Sequence, residues 1–156
     1  MKFVADCSPL IFLAKLDVFD LLNKDEILIT FEVQEELLIK ESPEKDKIVK
    51  FLSQKNVKIA KVLKPDNFSE VLGKGELSTI NLALEKKIPN VLMDDRRARS
   101  LAKIRNLKPR GTLWLILRAY KNGLLNKTQT HDLIYDLPSI GFRIDQEFLF
   151  TILKNL

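Results

Sequence analysis

Apolar residues along the chain alternate between two rhythms: short runs with little polar interruption, and longer stretches in which they return at helical spacing. The runs sit at Lys2–Ala5 ("KFVA"), 26–30 ("EILIT"), 57–63 ("VKIAKVL"), 90–93 ("NVLM") and, more weakly, 107–111 ("LKPRG"). Each is too short for a stable helix and reads as a buried strand. The first helix is expected to open with Ser8 as N-cap and Pro9 at the first helical position, and to continue in helical turns through 17–23. Over 31–40, Val33 and Leu37 are joined by Leu38 or Ile39 on one face. Pro43 lies near the start of the next helix, whose body is 48–54, and a short helix is expected at 67–73.

Over 75–87, Leu77, Ile80 and Leu84 share a side with Leu82 and Ala83 close by, an amphipathic pattern suited to packing on a sheet. Over 95–106, Ala98, Leu101, Ala102 and Arg105 line one face while Arg96, Arg97 and Lys103 point elsewhere. From Thr112 onward the pattern is helical throughout: 112–125 ended by Gly123, 127–137, and 145–156 opened by Asp145. Strands that each feed a helix argue an α/β fold around a mostly parallel sheet of four to five short strands. At 156 residues one domain spanning 1–156 is expected, with a helical C-terminal part from about 112.

Composition narrows the chemistry without naming it. A single cysteine, Cys7, excludes an internal disulfide and a Cys-based zinc site. No stretch has signal-peptide or membrane-spanning character, so a cytoplasmic protein is expected. Lys and Arg number 26 against 21 Asp and Glu, a net charge of +5 that favours a polyanionic partner.

The acids change the picture more, because ligands of such sheets bind beyond the carboxyl ends of the strands. Asp6 follows the first run ahead of a helix start that Ser8 and Pro9 already explain, leaving a cap of its own or an Asx turn as its ordinary role. Glu36 lies within the helix after the second run, where an acid is ordinarily solvated. Glu76 follows "GKG" at a helix start, where a carboxylate gains about 0.3–1 kcal/mol from the helix dipole. Asp94 and Asp95 follow the fourth run; one of them can cap the next helix, and the other then repels it. Gathered at one end of one sheet, these five acids would raise one another's pKa and weaken the fold, a cost that a divalent cation removes. Oxygen donors with a single histidine point to Mg²⁺ or Mn²⁺ rather than zinc.

The cluster Arg96, Arg97, Arg99 and Lys103 starts beside these acids, although a solvated helix face explains it equally well; of these, Arg96 and Arg97 are candidate phosphate contacts. Thr112 reads first as a helix cap. His131 reads as a surface residue, and Trp114, Phe148 and Phe150 as core or interface.

The segments "ADCSPLIFLAKL", "VQEELL", "GKGELSTINLALE" and "VLMDDRRARSLA", in this order and spacing, resemble the PIN domain, a family of metal-dependent nucleases that includes VapC-type toxins. "GTLWLILRAYKNGLL" and "GFRIDQEFL" resemble a prokaryotic branch of PIN-like proteins in which a "GTL" segment follows a "DD-R-x-A-R" stretch. The resemblance implies a three-layer α/β/α fold and a Mg²⁺- or Mn²⁺-dependent endoribonuclease, the toxin of a toxin–antitoxin pair. It implies RNA, an antitoxin protein and a second copy of the chain as partners. Carried over by position, Asp6, Glu76 and either Asp94 or Asp95 would hold the metal, Glu36 would orient a water or a second metal, and Ser8 and Thr112 would support them with hydroxyls. The third acid is Glu where many toxins have Asp. Two alternatives stand beside this: a PIN-like module that binds RNA or protein without cutting, and a receiver-like or phosphatase-type domain, which the absence of a D-x-D-x-T motif disfavours.

Overall fold

Val4 pairs with Leu28 on one side and Val91 on the other, which places the first strand at the centre of a parallel sheet. The computed structural model describes all residues Met1–Leu156. Its strands are β1 (Lys2–Ala5), β2 (Glu26–Thr30), β3 (Val57–Ala60), β4 (Asn90–Leu92) and β5 (Lys108–Arg110), in the order β3-β2-β1-β4-β5. Every neighbouring pair is parallel. Helices on both faces make this the three-layer α/β/α arrangement expected from alternating strands and helices.

Side-chain alternation along the strands divides the core in two. Val4, Leu28 and Val91 cluster with Ile80, Leu82 and Ala83 of α4 (Lys74–Lys86) and with Ala98 and Ala102 of α5 (Arg96–Ile104). Phe3, Ile27 and Ile29 alternate to the other face and are fully buried. There α1 (Cys7–Lys15), α2 (Phe31–Ile39) and α3 (Lys45–Leu52) pack on one another. Each such buried side chain is worth roughly 1.5–3 kcal/mol against leaving it in water.

The chain divides into two compact units, Met1–Thr112 and Leu113–Leu156. The first holds the whole sheet. The second is helical, with nearly all of α6 (Thr112–Lys121), then α7 (Lys127–Asp136), a 3₁₀ turn at Pro138–Ile140, and α8 (Gln146–Lys154). Asn126 and Gln129 cap α7 reciprocally, and Asp145 caps α8 through the Phe148 amide. No helix is long and apolar enough to cross a membrane.

Four local expectations need correction. Helix α1 starts at Cys7 with Asp6, not Ser8, at the N-cap; Asp6 is extended (φ −84, ψ 171) and its amide donates to Leu92 O at 2.8 Å, so the strand runs straight into the helix. Pro9 is thereby the third helical residue, still within the first turn where its missing N–H costs nothing. Residues 67–73 form no helix. So short a segment nucleates poorly, and the loop around it is held from α4 instead: Glu85 accepts the Leu63 and Lys64 amides and Asn81 donates to Asp66 O. The third strand ends at Ala60 rather than running to 63. Leu84 faces outward, 36% exposed, because α4 packs against α2 as well as the sheet and so buries Ser78, Thr79 and Asn81 in its place.

Candidate active site

From β1 the chain winds outward through β2 to β3, then returns to add β4 and β5 on the other side. The reversal falls between β1 and β4, and the crevice beyond the carboxyl ends of those two strands is where open α/β sheets take ligands. Asp6 leaves β1 there and Asp94 leaves β4 there.

Asp6 is 3% exposed and its carboxylate accepts the Cys7 amide. Burial raises its pKa from 3.8 to about 7 against that hydrogen bond, and the charges of Glu76, Glu36 and Asp94 push it the same way. Glu36 reaches over from α2. Its Oε2 accepts the Cys7 thiol at 3.1 Å and its Oε1 accepts the Gly75 amide at 3.1 Å. Gly75 is needed at that spot: a Cβ there would stand 2.9 Å from Glu36 Oε1 and 3.3 Å from Asp6 Oδ1. The Cys7 thiol is itself pushed far up by burial and then by Asp6, and stays a proton donor.

Glu76 accepts the Gly73 amide at 3.2 Å, the return half of a capping box whose other half a glycine cannot supply. Its pKa is raised by burial first, and by the charges of Asp95 and Glu36. The adjacent acids after β4 turn to different tasks. Asp95 is the N-cap of α5 and accepts the Ala98 amide at 2.9 Å. Asp94 turns toward β5, where Oδ1 accepts the Thr112 amide and Oδ2 the Thr112 hydroxyl, each at 2.7 Å. Burial raises the Asp94 pKa, while Thr112 and the Arg99 guanidinium work against the rise.

Glu36, Glu76 and Asp94 thus lie within electrostatic reach of Asp6, and Glu36 and Asp95 within reach of Glu76. Thr112 supports one of them with two hydrogen bonds, whereas Ser8, half-buried on the first turn of α1, supports none. Arg96 and Arg97 stand exposed on α5. Three participants escaped the sequence, Cys7, Gly75 and Gly111, and a fourth, Arg99, was read only as one of a basic cluster. The two glycines of "GKG" and "GTL" were visible, but which carboxylate each would face was not.

The donor chemistry fits a hard cation: oxygen ligands, net negative charge, and no cation among the leading influences on Asp6 or Glu76. No three of the His, Cys, Asp and Glu side chains already stand close enough together to hold an ion. Mg²⁺ keeps several waters and takes one or two carboxylates, so a closed protein cage is not required of such a site.

No curated protein and no solved structure matches the chain closely enough to count as similar. A PIN-domain family model does match, over residues 2–156. The PIN fold is in general that of nucleases that use divalent metal ions and act on RNA. With the model spanning all but the first residue, the chain belongs to the PIN-domain family.

Proposed function

We propose that the protein is a Mg²⁺- or Mn²⁺-dependent endoribonuclease whose centre is the acid cluster around Asp6. The observation that carries this is a carboxylate 3% exposed, uncompensated by any leading cationic neighbour, and pressed by three further acids at the switch point of the sheet. Asp6, Glu76 and Asp94 would hold the cation, and Glu36 would orient the attacking water. Asp95, engaged at its helix start, contributes charge. When bound, a hard cation supplies a nucleophilic water near neutral pH and neutralises charge at the phosphoryl oxygens.

The chain's own contribution is positioning. Thr112 fixes both oxygens of Asp94, Gly75 and Cys7 fix those of Glu36, and the backbone at Gly73 fixes Glu76. The proposal extends to a cytoplasmic toxin restrained by an antitoxin protein and to a homodimer. Incubation of the purified protein with mixed RNAs tests it: cleavage with Mn²⁺ and none with chelator is expected, with Asp6→Asn inactive. Absence of cleavage and of metal binding overturns it.

A second reading, a PIN-like module that binds RNA or protein without cutting, draws support from the absence of a ready-made cage of three acids. RNA binding that persists in EDTA with no Mn²⁺-dependent cutting would favour it.

A further inference from the structure

Beside the acids stands a cation with unspent donors. Arg99 is one turn into α5, half-buried, whereas Arg96 and Arg97 before it are exposed. Its Nη1 lies 2.9 Å from the point where a Cβ on Gly111 would sit, and Asp94 Oδ1 lies 2.6 Å from the same point. Guanidinium and carboxylate therefore flank the bare Cα of Gly111 at the edge of the cluster. Asp94 is already held there by Thr112 at both oxygens. No hydrogen bond and no ion pair engages the Arg99 guanidinium; it acts on Asp94 through space.

A half-buried guanidinium with its donors unused is poised for an incoming acceptor, and its planar fork matches two oxygens of one phosphate. The acids around Asp6 would repel a polyanion, and Arg99, acting on Asp94, offsets part of that repulsion. We infer that Arg99, framed by Gly111, receives a phosphate of the RNA strand at the acid cluster, a contact that rests on the ribonuclease reading above. Gly111 matters because a side chain there would occupy the space between the two groups. Asp94 is pinned, so Arg99 is the group that would yield.

The test is fluorescence anisotropy with a labelled single-stranded RNA in EDTA across a salt series, for wild type, Arg99→Ala, Arg99→Lys and Gly111→Ala, with circular dichroism to check folding. Arg99→Ala should bind about tenfold more weakly with a salt slope shallower by about one. Arg99→Lys should also bind several-fold more weakly, because an ammonium keeps the charge but loses the fork. In Mn²⁺-dependent cleavage, Arg99→Ala should raise KM. Wild-type affinity in Arg99→Ala, or in Arg99→Lys, overturns the inference while leaving the ribonuclease reading intact. A wild-type protein that neither binds nor cuts RNA overturns both. If Arg99→Ala fails to fold, Gly111→Ala decides: weakened binding by a folded protein supports the contact, and unchanged binding refutes it.

Discussion

Asp6 ends β1 with a carboxylate 3% exposed, and the fold keeps it protonated up to about pH 7 where an exposed aspartate ionises near 3.8. The unfolded chain releases that proton first, so the cation-free fold is favoured below about pH 4 and loses that stability as pH rises through 7. The difference is worth on the order of 4 kcal/mol. In chelator at about pH 8, Asp6→Asn should therefore melt several degrees above wild type, and at about pH 4 the gain should vanish; a lower melting temperature at pH 8 would refute the crowding. Thr112, fully buried, gives both its amide and its hydroxyl to Asp94. Thr112→Val keeps the shape and the amide but leaves an acid oxygen short of a donor, costing about 1–3 kcal/mol in chemical denaturation and lowering cleavage, whereas Thr112→Ser should retain both.

Asp6, Asp94 and Asp95 could be singled out in the sequence because each follows a recognisable strand, and a strand's carboxyl end has a known place in a parallel sheet. Ser8 was misplaced because a cap-and-proline pair looks the same whether the helix begins at it or two residues earlier. Arg99 was not singled out from its basic neighbours because helical spacing separates the faces of α5 without saying which face the turn before Thr112 approaches.

Between elements, α4 does the most to build the site. Its first turn brings the Gly75 amide to Glu36 and its third helical residue, Glu76, to the acids, while its middle is buried and the helix packs on both the sheet and α2. Gly75→Ala is a sharp probe of that arrangement. Alanine favours a helix by up to about 1 kcal/mol over glycine, yet its methyl would meet Glu36 Oε1 at 2.9 Å. We expect a folded protein with near wild-type melting and cleavage reduced about tenfold or more; full activity would show that Glu36 is free to move. The amphipathic pattern revealed that α4 packs on a sheet, but its second contact, with α2, depends on residues some forty positions away and left no mark on the local pattern. That is why Leu84 was assigned to the core and Ser78 and Thr79 were not. The irregular course of 67–73 escaped for the same reason, since the chain leading into it is tethered at Leu63, Lys64 and Asp66 by Glu85 and Asn81 of α4.

At the scale of the molecule, charge links folding to ligand. Burial of Asp6 and Glu76 beside other acids opposes the fold, and an ion that binds the folded state alone stabilises it by mass action, about 2.7 kcal/mol at a hundred times its Kd. Adding Mn²⁺ should raise the melting temperature by several degrees over chelator, and Asp6→Asn should blunt the rise; a flat response would remove the case for a cation. A mostly parallel sheet was readable from strand–helix alternation, whereas the order β3-β2-β1-β4-β5 was not, since nothing local to β4 says that it returns to the far side of β1.

That return has a consequence in time. Residues 6, 36, 76 and 94 come from successive βα segments, and the turn that steadies Asp94 ends at Thr112. A chain emerging from the ribosome carries every earlier acid before it carries the strand that sets Asp94 beside Asp6. Any chemistry that needs Asp94 beside Asp6 therefore waits until the fourth strand and Thr112 have been made.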